Sequence, residues 1–271
     1  MEQLWLNVKY ALLGLLQGVT EPIPVSSSGH LIIAQRLFGL QIEGLSFEVL
    51  VNFASLLAVL LIYRADISRL AVGSWSYLVH RQEEGRSDFK MVVYLIIATI
   101  PAGIAGVLFK DAIAEAFKGM AAIGVTLLIT GAALWLIRNL RGRRQDAQLT
   151  AKDALLIGLA QVVALIPGIS RSGATLIAGL GLGLRQSHAL RFSFLMYIPI
   201  SAGGMTLEVK ELANDPELGR LAIPYVLAFL CAFVATYYAF RWFVGVMERG
   251  RLIYFSLYCF AVGALVLMFL A

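Results

Sequence analysis

The side chains best suited to chemistry lie in a short segment of an otherwise apolar chain. The segment reads GVTEPIPVSSSGH, residues 18–30, and contains one carboxylate, three serines and one histidine. Ser27 precedes His30 by three residues, so the two side chains share a face of a helix. A lone histidine in a membrane usually packs through hydrogen bonds, but this spacing predicts a nucleophile with its base. We therefore expect His30 to serve Ser27 as base and then as acid. The alternative is attack by water that His30 or Glu21 activates, with Ser27 only binding the substrate.

A second polar segment, PGISRSGAT at residues 167–175, places an arginine among apolar residues. A guanidinium inside a membrane is costly and normally marks a ligand site or a functional ion pair. Its planar fork suits the oxygens of a phosphate group. We predict that Arg171 clamps a phosphate and contributes to catalysis. A structural salt bridge between Arg171 and Glu21 is the alternative.

Prolines and serines predict a broken helix in the first segment. Pro22 disfavours helical geometry at Glu21, so the first helix should end there. Gln17 lies four residues before Glu21 and should share its helix face. The hydroxyls of residues 26–28 are suited to cap a new half-helix that runs to about Phe38.

The second segment predicts the same arrangement. Pro167 and Gly168 break the helix, and Ser170 sits where an N-cap belongs, with a half-helix running to about Leu184. Two helix N-termini then point at one place, and their free N–H groups are suited to bind phosphate. The residues predicted to bind substrate are Gln17, Ser26, Ser28, Ser170, Ser172, Gly173 and Thr175.

The carboxylate of Glu21 would repel a bound phosphate unless a cation lies between them. A hard divalent ion with oxygen ligands, Mg²⁺ or Ca²⁺, resolves this conflict. Because carboxylates are few, we expect one ion that relies on substrate oxygens. Glu48, at the start of the next apolar span, is a weaker second ligand, with a helix-end contact as its alternative.

Composition identifies the class of protein that holds these groups. Of 271 residues, 59% are hydrophobic and only 14% are charged, and the mean hydropathy is +0.80. Soluble domains contain about 25% charged residues, so we predict an all-α polytopic membrane protein that contacts membrane lipids. The predicted spans are residues 46–63, 91–109, 119–137, 192–207, 221–240 and 252–270.

Charge distribution predicts the topology. Basic residues concentrate in segments 64–90, 138–152 and 241–251, which the positive-inside rule places in the cytoplasm. The acidic or balanced segments near 110–118 and 208–220 then face outward, as do both termini. The net charge of +5 is explained by these topology signals, and no nucleic-acid partner is predicted.

The chain also repeats itself. Residues 14–40 and 158–184, related by a shift of 144, are identical at 11 of 27 positions. The crossings counted above give these segments opposite orientations, as two re-entrant helical hairpins. We therefore predict one membrane domain over residues 1–271, with inverted-topology repeats at about 8–137 and 152–271. This plan places a binding site near the bilayer midplane.

At EPIPVSSSGH and PGISRSGAT the sequence resembles the undecaprenyl pyrophosphate phosphatase family, the bacitracin-resistance proteins. The resemblance covers essentially the whole chain and includes FEVLVNFASLLAVLLIYR after the first segment. It implies hydrolysis of the C55 polyprenyl diphosphate to the monophosphate lipid carrier of peptidoglycan and cell-wall synthesis, with a divalent cation, in the bacterial inner membrane.

The family's first motif is Glu or Gln, three residues, then Glu, which here corresponds to Gln17 and Glu21. Because Gln17 is the amide form, we expect it to form hydrogen bonds and not to bind metal. The resemblance also implies site roles for Ser27 and His30 in the first segment. In the second segment it implies such roles for Ser170, Arg171 and Thr175.

Two alternatives were weighed against this function. An acid-phosphatase-type membrane enzyme shares SGH but needs a second histidine where this chain has Ile177, so it is disfavoured. A polyprenyl-phosphate lipid or anion transporter, or flippase, is the alternative of a different class, because inverted repeats usually serve alternating access. The Ser27–His30 spacing with a facing Arg171 favours chemistry. The sequence leaves a homodimer open.

Overall fold

The computed structural model describes residues 2–40, 42, 46–117, 119–213 and 218–271. Within these ranges the chain is mainly helical, with no β-strand beyond an isolated bridge between Arg144 and Leu184. The α-helices are α1 (Glu2–Thr20), α2 (Ser27–Phe38), α3 (Ser46–Ile62), α4 (Arg64–His80), α5 (Arg86–Ala116), α6 (Met120–Ile137), α7 (Ala151–Val163), α8 (Arg171–Gly181), α9 (Gln186–Ala213), α10 (Leu218–Glu248) and α11 (Ile253–Phe269).

Three helical stretches of the described chain are long and apolar enough to cross a membrane, namely Glu83–Phe109, Met120–Ile137 and Gly219–Glu248. A fourth is reached if the bent pair Phe47–Ile62 and Arg64–His80, which meet at 71°, counts as one span. Helix α11 is apolar but shorter. An all-helical, multi-pass membrane protein is therefore confirmed, whereas the six-span inverted repeat stays a prediction.

The segment predicted as a cytoplasmic loop, residues 64–90, is largely helical because α4 fills most of it. Arg64 and Arg69 are exposed near the start of α4, and Val72 and Trp75 expose apolar side chains farther along. Such a helix is suited to lie along a membrane surface. The positive-inside rule predicts only the side of the membrane on which this segment lies, because it counts charges. It does not predict the backbone conformation of the segment.

The first predicted helix break is confirmed between α1 and α2. Ser26 caps α2, and its Oγ accepts a hydrogen bond from Gly29 N at 3.3 Å. With φ at 69°, Ser26 adopts a left-handed conformation that costs a non-glycine residue about 1–3 kcal/mol. Backbone strain of this kind concentrates at functional sites.

The second predicted break, between α7 and α8, is also confirmed. Two threonines of α6 hold it, because Thr126 Oγ1 donates to Pro167 O at 2.8 Å and Thr130 Oγ1 donates to Gly168 O at 3.2 Å. Gly168 has φ at +87°, and a Cβ there would lie 1.9 Å from Thr126 Oγ1. Only glycine therefore fits this turn.

Glycines bring each broken helix against a helix from the other half of the chain, α1 against α10 and α7 against α5. A Cβ at Gly14 would lie 2.1 Å from Ala228 O, and a Cβ at Gly158 would lie 2.4 Å from Ala98 O. Gly14 and Gly158 are related by the shift of 144 residues. The repeat seen in the sequence thus extends to the way the helices pack.

In each hairpin a cation binds a carbonyl at the end of the half-helix, and the two carbonyls occupy equivalent positions in the repeat. Lys9 Nζ donates to Phe38 O at 2.6 Å, and Arg144 Nη1 donates to Leu182 O at 2.8 Å. Phe38 and Leu182 differ by the same shift of 144. A cation stabilises a helix C-terminus, where carbonyl groups lack partners and the helix dipole is negative. Arg144 also pairs with Asp153 at 2.6 Å, and this hydrogen bond raises the pKa of Arg144.

Candidate active site

The carboxylate of Glu21 is the meeting point of three predicted site residues. Arg171 Nη2 lies 2.6 Å from Oε1 of this carboxylate. Ser27 Oγ donates to Oε2 at 2.5 Å, and Gln17 Nε2 donates to the same oxygen at 3.0 Å. Glu21 is only 7% exposed. Side chains from the two broken helices therefore form one buried polar cluster.

Arg171 is held in place by a carboxylate and an aromatic ring. Its guanidinium carbon lies 3.9 Å from the ring centroid of Tyr197, within the range of a cation–π interaction. Tyr197 Oη in turn donates to Asn52 O at 3.0 Å. Arg171 Nη1 is buried and has no hydrogen-bond partner among the described residues. The ion pair with Glu21 is thus present. The N–H groups of Nη1 are suited to bind an anion.

The two half-helix N-termini border a small cavity. Ser26 caps α2, as described above, and Ser170 caps α8 by accepting a hydrogen bond from Gly173 N at 3.1 Å. Ser172 Oγ donates to Ile23 O at 3.4 Å and so links the two hairpins. The cavity has a volume of about 160 Å³, and its polar lining includes Glu21, Ser26, Ser27, Ser28, Ser170, Arg171 and Ser172. Hydroxyl and N–H groups at helix N-termini are suited to bind a phosphate.

A larger cavity of about 290 Å³ adjoins the first. The two share part of their lining, including Ser27, Ser28, Asn52 and Arg171. Its other polar lining residues are Gln17, Glu48, Gln161, Tyr197 and Ser201. Its apolar lining includes Leu31, Val49, Ala102, Leu165, Ile200 and Met205. A polar group attached to an apolar chain would fit such a cavity.

Both ring nitrogens of His30 have partners other than Ser27. Nδ1 lies 2.8 Å from Ser26 O, and because a carbonyl only accepts, Nδ1 carries the proton. In the neutral ring Nε2 then accepts from Tyr258 Oη at 2.8 Å. His30 lines neither cavity. In this arrangement Glu21 accepts the hydrogen bond of the Ser27 hydroxyl, and the role of His30 as base stays a prediction.

Thr175 lies on α8 behind the residues that line the small cavity. Its Oγ1 donates to Arg171 O at 3.0 Å and lies 2.5 Å from Ser193 Oγ. Thr175 lines neither cavity. Gly173 contributes through its backbone N–H to the cap of α8. The structure therefore brings these two residues close to the site, where they support the start of α8.

The cavity residues offer oxygen ligands suited to a hard cation. Glu21, Glu48 and Asn52 line the two cavities. No group of three or more His, Cys, Asp or Glu side chains forms a metal cluster in the described part of the chain. Because both oxygens of Glu21 already have partners, one divalent ion fits here only if other oxygens complete its coordination.

Tyr197 and Tyr258 are residues that the sequence analysis missed. Both lie in apolar helices, and an aromatic residue there is most often a packing residue. Asn52 and Gln161 are difficult to assign from sequence for a similar reason, since amides often serve helix contacts in membranes. The signal that could have found Gln161 is its place in the repeat, 144 residues after Gln17.

Together, the fold and the site define an integral membrane protein in which two broken helices enclose a buried, anion-compatible cavity. Comparison with known proteins then identifies the family. The chain belongs to the family described as bacitracin resistance protein BacA, whose model matches residues 10–265.

Curated relatives resemble the chain over its whole length. "Undecaprenyl-diphosphatase 1" of Bacillus cereus is 58% identical over 270 residues, which cover 100% of both chains. "Undecaprenyl-diphosphatase 1" of Bacillus licheniformis is 57% identical over 263 residues, 97% of each chain. "Undecaprenyl-diphosphatase" of Oceanobacillus iheyensis is 56% identical over 271 residues, covering 99% of this chain and 98% of that protein.

Proposed function

We propose that this protein hydrolyses undecaprenyl diphosphate to undecaprenyl phosphate and inorganic phosphate. The full-length similarity to proteins named undecaprenyl-diphosphatase supports this activity. The observation that carries the proposal is the contact of Ser27 and Arg171 with one carboxylate, Glu21, beside two helix N-termini. Such a reaction would return the lipid carrier to peptidoglycan and cell-wall synthesis, and we propose that it also confers bacitracin resistance.

In the proposed reaction the terminal phosphate lies in the small cavity. Phosphoryl transfer depends mostly on positioning and on neutralising charge, which Arg171 and the N–H groups of α2 and α8 supply. Ser27 Oγ attacks the terminal phosphorus while its proton passes to a base. The bond to the bridging oxygen breaks, and the polyprenyl monophosphate leaves. Water then cleaves the phosphoserine and releases inorganic phosphate.

Two residues are candidates for the base that accepts the proton of Ser27. Glu21 is within hydrogen-bond distance of Ser27 Oγ, which is the geometry a general base needs. His30 requires a rotation of its own side chain or that of Ser27 before it reaches the hydroxyl. Direct attack by water, with Ser27 only binding phosphate, is the alternative to the covalent route.

We also propose that one Mg²⁺ or Ca²⁺ ion acts with the substrate. Glu21 would be its main protein ligand and Glu48 a second, and substrate oxygens would complete the coordination. When bound, the ion would neutralise phosphate charge. Gln17 would then orient Glu21 through its hydrogen bond and would not bind the metal.

For the membrane arrangement we propose six spans and two re-entrant hairpins, as inverted repeats at about residues 8–137 and 152–271 of one domain. The packing of Gly14 on α10 and of Gly158 on α5 supports this symmetry. The basic segments support cytoplasmic placement of residues 138–152, with the termini and the opening of the site outside the bacterial inner membrane.

The direct test is phosphate release from polyprenyl diphosphate by the purified protein, with and without Mg²⁺. Release by the wild type but not by Ser27→Ala supports the proposal. No release by the wild type under both conditions contradicts it, and movement of the intact lipid across a vesicle membrane would then favour the transporter alternative.

A further inference from the structure

Gln161 is a buried amide that no group in the described part of the chain satisfies. It is 1% exposed and lines the larger cavity. Neither Nε2 nor Oε1 has a hydrogen-bond partner among the described residues. A buried amide without a partner is unfavourable and rare. Its position on a cavity wall indicates that a ligand supplies the partner.

The repeat explains why Gln161 is free. Its counterpart Gln17 donates to Glu21 four residues later at 3.0 Å. The residue four positions after Gln161 is Leu165, which offers no hydrogen bond and lines the same cavity. The second repeat therefore retains the amide of the first but presents it beside an apolar wall.

A second buried donor lines the same cavity. Arg171 Nη1 also lacks a partner among the described residues, while Nη2 is taken by Glu21. Glu48 adds a carboxylate to this lining, so an anion that enters depends on the positive charge of Arg171. Two unpartnered N–H donors near an apolar wall suit an anionic group that carries a hydrocarbon chain.

We propose that Gln161 and Arg171 Nη1 bind the phosphate that carries the polyprenyl chain, and hence the monophosphate product. This proposal rests on the proposed function, which places the terminal phosphate in the adjoining small cavity. When the bond between the terminal phosphorus and the bridging oxygen breaks, its electron pair stays on that oxygen. The chain-bearing phosphate thereby gains negative charge, and a hydrogen bond from Gln161 Nε2 stabilises it.

The test compares Gln161→Leu with the wild type in binding two anions. A long-chain polyprenyl monophosphate should bind the variant roughly 10- to 100-fold more weakly, as expected for loss of a hydrogen bond to a charged group. Inorganic phosphate, which fits the small cavity, should bind both proteins equally. Leu159→Ala, on the exposed face of the same helix, is the matched control and should bind both anions as the wild type does.

The unfolding temperature distinguishes a ligand-binding role of Gln161 from a structural role. Because leucine removes an unsatisfied amide, Gln161→Leu should unfold at the same temperature as the wild type or at a higher one. Gln161→Glu keeps the shape but adds a negative charge, so it should bind the lipid monophosphate more weakly than the leucine variant. Unchanged lipid binding in Gln161→Leu, or a lower unfolding temperature, would overturn the proposal.

The binding measurement needs no turnover, so it is independent of the proposed function. If the wild type released no phosphate but still bound the lipid monophosphate through Gln161, the hydrolytic function would fail and the subsite would stand. If the wild type hydrolysed the diphosphate and Gln161→Leu matched it in both assays, the subsite alone would fail.

Discussion

Arg171 and Glu21, separated by 150 positions in the sequence, form a buried salt bridge of 2.6 Å between the two broken helices. Their side chains are only 17% and 6% exposed. A pair this buried is costly to break, because the remaining charge is left without a partner. The bridge therefore fixes Glu21, directly after α1, against Arg171, the first residue of α8. It leaves Arg171 Nη1 without a partner among the described residues.

Replacement of Arg171 tests the phosphate clamp. Arg171→Ala should lower phosphate release about 10²- to 10³-fold, and Arg171→Lys should recover little, because it keeps the charge but loses the planar fork. The measurement is kcat/KM for polyprenyl diphosphate, with the unfolding temperature recorded for each variant. Near-normal turnover in a folded alanine variant would contradict the clamp.

Ser27 is tested by searching for its phosphorylated form. Ser27→Ala should lower turnover by at least about 10³-fold, and rapid acid quenching of the wild type with terminally labelled substrate should trap label on the protein. Label absent from the wild type, with slow turnover in Ser27→Ala, would favour water attack with Ser27 as a phosphate ligand.

Variants of His30 and Tyr258 distinguish a catalytic role of His30 from a supporting role of Tyr258. If His30 is the base, His30→Gln should lower kcat about 10²- to 10⁴-fold with little change in KM. Tyr258→Phe removes only the hydrogen bond to Nε2 and should lower kcat roughly fivefold. A His30→Gln variant with normal kcat would assign the proton of Ser27 to Glu21.

Metal dependence is tested by chelation. EDTA should stop phosphate release, and Mg²⁺ or Ca²⁺ should restore it, because a cation must lie between Glu21 and the phosphate. Glu21→Gln should need a higher metal concentration for half-maximal activity, whereas Asp88→Asn, outside both cavities, should not. Activity that persists in EDTA would remove the ion from the mechanism.

Topology is tested with an impermeant thiol reagent on spheroplasts, after Cys231 and Cys259 have been replaced. Gly219→Cys should react because its segment is predicted to face outward, and Arg143→Cys should react only after lysis. Both positions are exposed. Reaction at 143 but not at 219 in intact spheroplasts would invert the predicted topology.

The sequence by itself determined the helix breaks, their caps and the placement of Gln17 and Glu21 on one helix face. These features depend on residues three or four positions apart, such as Ser26 with Gly29 and Ser170 with Gly173, so local geometry predicts them. Composition determined the membrane class, because burial in lipid requires apolar helices. The identity of the lipid substrate came from the family resemblance in the two segments, because no local interaction encodes it.

Only the tertiary structure decided which distant groups meet. The packing of separate helices places Tyr197 against Arg171 and Tyr258 against His30. It also leaves Gln161 without a partner among the residues that the structure describes. Such contacts are long-range, and an aromatic or amide residue looks the same in sequence whether it packs or binds. The helical state of α4 was likewise hidden, because charge marks a side of the membrane while backbone conformation depends on the surface the helix lies against.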